Sequence, residues 1–154
     1  MKTKTNRRFF LGVCAVLLLW VLGGMGVAQR AEEKAIMEIY FIPFGVQTFF
    51  PVTMNDIENR SHHSIQVYGN KEFARTVLKL ISGEKTVQNI NGEAIRMKVV
   101  YLKEGTVFYI DAQGIGVTNK GATFSLEKNR LAEIENKLLN LQNVVGIKNI
   151  KKFK

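Results

Sequence analysis

The sequence predicts an α+β domain: an antiparallel sheet, a meander in its C-terminal half, with two main amphipathic helices packed on one face. Three observations carry this expectation. Apolar residues recur with helical spacing twice, at Phe73, Ala74, Val77, Leu78, Leu80 and Ile81 and again at Leu131, Ile134, Leu138 and Leu141. Between these stripes, turn residues at 104–105, 111–114 and 119–121 separate short runs that alternate apolar and polar. Two one-sided helices each need an apolar floor, and a one-sided antiparallel sheet supplies it.

The elements follow in order. Residues 29–35 are polar and read as a spacer. Residues 36–44 read as a strand: Ile36, Tyr40 and Ile42 share one side with Glu38, while Met37, Ile39 and Phe41 fill the other. A strand apolar on both sides is central or covered. Pro43 limits its end, Gly45 permits a turn, and 46–50 is expected to return as a short second strand. Thr53 and Asp56 have capping-box spacing, with Asp in place of Glu, which predicts a one- or two-turn helix over 54–59. A polar loop at 60–64 leads to a short strand at 65–68. Asn70 caps the first long helix, and Gly83 stops it.

After a turn-rich stretch at 84–92, residues 94–102 alternate. Ile95, Met97, Val99 and Tyr101 lie on one face, Arg96 and Lys98 on the other. Strands return at 107–110, 115–118 and 122–124. Ser125 is the expected cap of the last helix, with Glu127 in its first turn and an end near Gln142. From about 144 the chain reads as a basic tail, with Lys148, Lys151, Lys152 and Lys154 among Ile147, Ile150 and Phe153.

Residues 1–28 have the layout of a secretory signal peptide. Lys2, Lys4, Arg7 and Arg8 precede an apolar run, and Gly26 and Ala28 form a small-residue exit. The domain then occupies 29–154, outside the cytoplasm and most concretely in a bacterial periplasm. Left uncut, residues 9–27 are long enough to anchor the body to the inner membrane with the body outside. Asn6 to Leu11 also resembles a twin-arginine export signal, although the strongly apolar 16–22 stretch favours the ordinary route. Cys14, the single cysteine, lies in this leader. The body therefore carries no disulfide and no thiol nucleophile.

The whole chain has a net charge of +9. With the four leader cations removed, the body is moderately basic. Export argues against a nucleic-acid partner and for anionic lipid, wall polymers or an acidic protein. No G-x-S-x-G elbow, phosphate loop or complete dinucleotide loop is present. Glu133 and Glu135 lie on different faces of a helix and are not a glycosidase pair. Asp111 suits the first position of a type I turn. His62 and His63 are adjacent, so on a strand they point to opposite sides, whereas metal ligands are spaced. No catalytic, cofactor or metal site is expected; an enzyme using Asp56, His62, His63 or Asp111 is the least favoured reading.

The residues singled out for partner binding are Phe44, Phe49, Phe50, His62, His63, Lys148, Lys151 and Lys152. The three phenylalanines are core if their segment folds back over the sheet, which is the first expectation, and a contact surface if it forms a loop. The lysines are a solvated end or an edge strand blunted by charge, and otherwise a docking surface for lipid or an acidic partner. Two stretches, Ile39-Tyr40-Phe41-Ile42-Pro43 leading to Pro51-Val52-Thr53 and Ile57-Glu58, and 95–101 leading into Val107-Phe108-Tyr109-Ile110-Asp111, together resemble small exported bacterial proteins of uncharacterised or immunity-protein type. That resemblance implies binding to a toxin delivered into the periplasm and blocking it by occlusion. The alternative is a membrane-tethered structural component of the envelope.

Overall fold

The fold is seen in a computed structural model that describes residues 34–141, 144 and 146–152. The chain divides into units 1–32 and 33–154, and only the second falls within the described residues. The leader and its expected cleavage site lie outside them.

Among the described residues, eight strands form one antiparallel sheet: β1 (Ala35–Phe41), β2 (His63–Tyr68), β3 (Glu84–Lys85), β4 (Ile95–Tyr101), β5 (Thr106–Asp111), β6 (Ile115–Thr118), β7 (Thr123–Ser125) and β8 (Ile147–Lys152). Their spatial order is β3-β7-β6-β5-β4-β1-β2-β8. Helices α1 (Ile57–Arg60), α2 (Lys71–Ile81) and α3 (Lys128–Leu139) interrupt the strands. The predicted α+β class and the β4–β7 meander are present.

Strand β1 is central because both its edges are used. It pairs antiparallel with β2 (Ile39 opposite Ile65) and with β4 (Ile39 opposite Val99). One face of these three strands presents Met37, Ile39, Phe41, Ile65, Val67, Met97 and Val99, all fully buried. Helices α2 and α3 cover that face with Phe73, Ala74, Val77 and Ile81 and with Leu131, Ile134 and Leu138. Each large apolar side chain so buried contributes about 1.5–3 kcal/mol relative to exposure. Asn70 caps α2 as expected: its side-chain oxygen accepts from the Phe73 N–H at 2.9 Å.

Several expectations are corrected. Residues 46–50 form no strand. β1 already has a neighbour on each side, so no free edge is available, and only Val52 makes an isolated parallel bridge, to Ala94. The Thr53 hydroxyl does donate to Asp56 at 2.7 Å, but the α-helix begins later, at Ile57. Ser125 does not cap the last helix. It belongs to β7, opposite Ile115 and Glu84, and α3 begins after Glu127 and ends at Leu139. The tail from 144 is not a free end: 147–152 form edge strand β8, with Ile147 opposite Val67. Gly146 leads into it at φ +79°, its oxygen accepting from Tyr68 N–H at 2.6 Å.

Arg96 also departs from the alternating pattern. The β4–β5 register slips between Ile95 and Met97, leaving Arg96 as the extra residue of a bulge. Its side chain is buried instead of sharing the open face with Lys98.

Gly116 is required by packing. A Cβ there would lie 2.1 Å from the Phe124 ring, which packs edge-on against Phe108. Gly116→Ala is expected to destabilise the protein by about 1–3 kcal/mol. Thermal denaturation followed by circular dichroism checks this as a fall of several degrees in Tm.

Candidate partner-binding site

The end of the sheet where β1 finishes and β2 and β4 begin carries a second, smaller core. Ile42, Val52, Ile57 and Ile95 are buried there, with Val46, Met54 and Ile90 packed around them. These residues root the connection between β1 and β2. Ile42 N–H donates to Arg96 O at 2.8 Å and Val52 N–H to Glu93 O at 2.9 Å, while Ile95 N–H donates to Val52 O at 2.9 Å. Arg96 Nη2 reaches Val46 O at 3.4 Å. His62 N–H closes the return by donating to Phe41 O at 3.0 Å.

The roots are fixed, but the tip projects. Phe49 is 99% exposed and Phe50 69%. Between this tip and the α1 return lies a groove of about 480 Å³. Its floor is Ile42 and Val52, its walls Phe49 and Phe50, and its rim carries Arg60 and His62. The Arg60 guanidinium stands 6.0 Å from the Phe50 ring centroid, within cation–π range. None of the described residues lining the groove is Asp or Glu. The nearest carboxylates in sequence are engaged elsewhere: Asp56 with the Thr53 hydroxyl and Glu58 in an ion pair with Lys98.

The singled-out residues divide as follows. Phe44 is partly buried on the main core, 5.7 Å from the Phe41 ring, so the core expectation holds for it. For Phe49 and Phe50 that expectation is corrected, because their segment is the projecting loop. His62 and His63 do face different surroundings: His62 borders the groove, and the His63 ring stacks on Phe41 at 6.0 Å. Lys152 is the register partner of His63 and Lys151 that of Ser64, which brings both to the groove end of the sheet. Lys148 is exposed and pairs with Gln66, farther along β2. Thus seven of the eight candidates gather at one end, and Lys148 lies away from it.

The residues weighed for chemistry are held in structural roles. Asp111 is buried, and its carboxylate accepts from the N–H groups of Asn91, Gln113 and Ile115, each at 2.9 Å. The buried Ser61 hydroxyl donates to Glu58 O. Among the described residues, no group of three or more His, Cys, Asp or Glu is placed to hold a metal ion. No described helix is long and apolar enough to cross a membrane.

Sequence reasoning missed two features. Arg60 joins Phe50 only through the fold, since nothing in their spacing signals contact. A polar ladder on the helix-free face was also missed. Tyr68 donates to Gln66, Gln66 donates to Glu38 at 3.3 Å, and Tyr40 donates to Glu38 at 3.1 Å. Lys98 lies 5.4 Å from the Tyr109 ring centroid. The signal for the ladder was present as polar residues at alternate positions of three neighbouring strands, but strand order was needed to align them.

Comparison with protein-family models, with curated proteins and with solved structures finds no match to this chain. Its functional reading therefore stands on the site.

The ladder sets a pH dependence. Burial first, then the Glu38 charge and hydrogen bond, with the Glu58 charge, push the Tyr40 phenol from 10.0 up to about 12. Burial opposes the charge on Lys98, but the hydrogen bonds and charges of Glu58 and Tyr109 outweigh it and hold Lys98 above its ordinary value. A raised folded-state pKa gives stability that is complete below the unfolded value and lost on rising through the folded one. Stability should therefore fall between pH 10 and 12. Tyr40→Phe should make that fall shallower, with the Lys98 contribution left, as urea titrations across this range would show. An unchanged slope in the variant would refute the assignment to Tyr40.

Proposed function

We propose that this chain is an exported envelope protein that works by binding another protein and covering its working surface, in the manner of an immunity or inhibitor protein of the bacterial periplasm. The observation that carries this reading is the fully exposed Phe49 on a loop whose roots are hydrogen-bonded and packed. Large aromatics exposed together are costly in water, and in interfaces they are frequent anchors. A rooted loop loses less conformational entropy on binding than a floppy one, so more of the contact energy appears as affinity. The basic leader followed by an apolar run supports export.

The proposed mechanism is steric. The aromatic tip enters a recess of the partner, and the surrounding end of the sheet covers the adjoining surface. Chemistry by this protein is not required.

Epitope-tagged protein recovered from the envelope of its source cells tests the reading. Its N-terminus is expected near residue 29, in the soluble envelope fraction, with a discrete partner protein co-purifying. The double substitution Phe49→Ala, Phe50→Ala should weaken the complex by about a hundredfold, as two central aromatic anchors would. Because both side chains are exposed, Tm should change little. Retained affinity in the double variant, or no partner at all, would count against the proposal.

A further inference from the structure

We propose that the groove beside the aromatic tip takes an acidic polypeptide segment of the partner. A large apolar side chain of that segment would sit over Ile42 and Val52, and its carboxylates would meet Arg60. This deepens the binding-protein reading and rests on it.

The first argument is charge. The groove has cationic and neutral polar rim groups and, among its described lining residues, no carboxylate. Of the two acids of the α1 region, Glu58 is offset by Lys98 and Asp56 accepts from the Thr53 hydroxyl; neither lines the groove. Beyond His62, the next strand position is His63, whose register partner is Lys152, and Ser64 follows opposite Lys151. The body, still moderately basic once the four leader cations are removed, also draws in an acidic segment at long range.

The second argument is shape and donor chemistry. A groove of about 480 Å³ with an apolar floor fits one large side chain with its flanking backbone. Arg60 is exposed and is already set against the Phe50 ring, so its planar fork is partly ordered before a ligand arrives. A guanidinium held in this way matches a carboxylate through two parallel N–H···O bonds. An anionic lipid surface would share the charge preference. However, the space of about 480 Å³ lined by Ile42, Val52, Arg60 and His62 beside the projecting Phe49 and Phe50 accommodates an inserted side chain, which a lipid surface does not supply.

Fluorescence anisotropy on the processed full-length protein tests this with three labelled peptides of equal length, each with one central tryptophan. One is rich in Glu and Asp, one has Gln and Asn in their place, and one has Lys. Vesicles of phosphatidylglycerol form a fourth arm. The acidic peptide should bind about tenfold more tightly than the amide peptide, the lysine peptide should not bind, and salt should weaken the acidic complex. Arg60→Gln should remove most of the acidic preference, and Phe50→Ala should weaken both the acidic and the amide peptide. Leu102→Ala, at the far end of β4, should alter neither.

Equal binding of acidic and amide peptides, an undiminished preference in Arg60→Gln, or failure of the acidic peptide to bind at millimolar concentration overturns the proposal. Binding to vesicles with no binding to the acidic peptide overturns it in favour of a membrane. The broader reading is judged separately. A natural complex that needs Phe49 and Phe50 but ignores both Arg60 and salt would remove this inference and leave the binding-protein reading standing.

Discussion

Four side chains, Ile42, Val52, Ile57 and Ile95, hold together everything at the candidate binding end. They come from the end of β1, the β1–β2 connection, α1 and the start of β4, so no two adjacent elements can shift independently there. The backbone bonds between Val52 and the β4 entry fix the direction of the connection. The result is a segment whose ends behave like core while its tip is left in water. A projecting tip held by a packed base is a geometry suited to contact with another protein.

The main core is built separately, on the helix-covered face. That separation matters, because the stability of the domain and the shape of the contact end draw on different residues. Arg96 belongs to the contact end. A buried guanidinium is expensive unless its donors are used, and burial lowers it from its ordinary value. Two of its nitrogens are used on backbone oxygens, Ile95 O and Val46 O, and the second belongs to the loop. The bulge in β4 thus spends a charged side chain on fastening the connection. The polar ladder on the open face is a different device: it satisfies Glu38 by Tyr40 and Gln66, and so lets an acidic residue sit on the central strand.

What was legible in the sequence follows from the range of the interactions. Helix α2 was legible because its cap, its stripe and its stop all lie between Asn70 and Gly83 and agree. The meander was legible because glycine turns mark each reversal. Residues 46–50 were misread because their aromatic and β-branched content suits a strand, while the absence of a free edge beside β1 is a property of the whole sheet. The tail was read both as a solvated end and as an edge strand blunted by lysine, and the second reading holds. Its lysines suggest a solvated end, and only the unfilled outer edge of β2 explains why 147–152 pairs there. At the contact end, sequence singled out the phenylalanines and histidines as residue types, but it grouped Phe44 with Phe49 and Phe50, which packing then separates. Arg60 carried no signal, since its relation to Phe50 depends on how α1 closes the loop.

Site-specific photo-crosslinking tests the central claim most directly. A benzophenone amino acid placed at Phe49 in the living source cell reports what the tip touches, and the same group at Leu102, at the far end of β4, reports background. The account predicts one protein adduct of defined mass from position 49 that is absent from position 102. Equal labelling from both positions, or adducts with lipid alone from position 49, would contradict it.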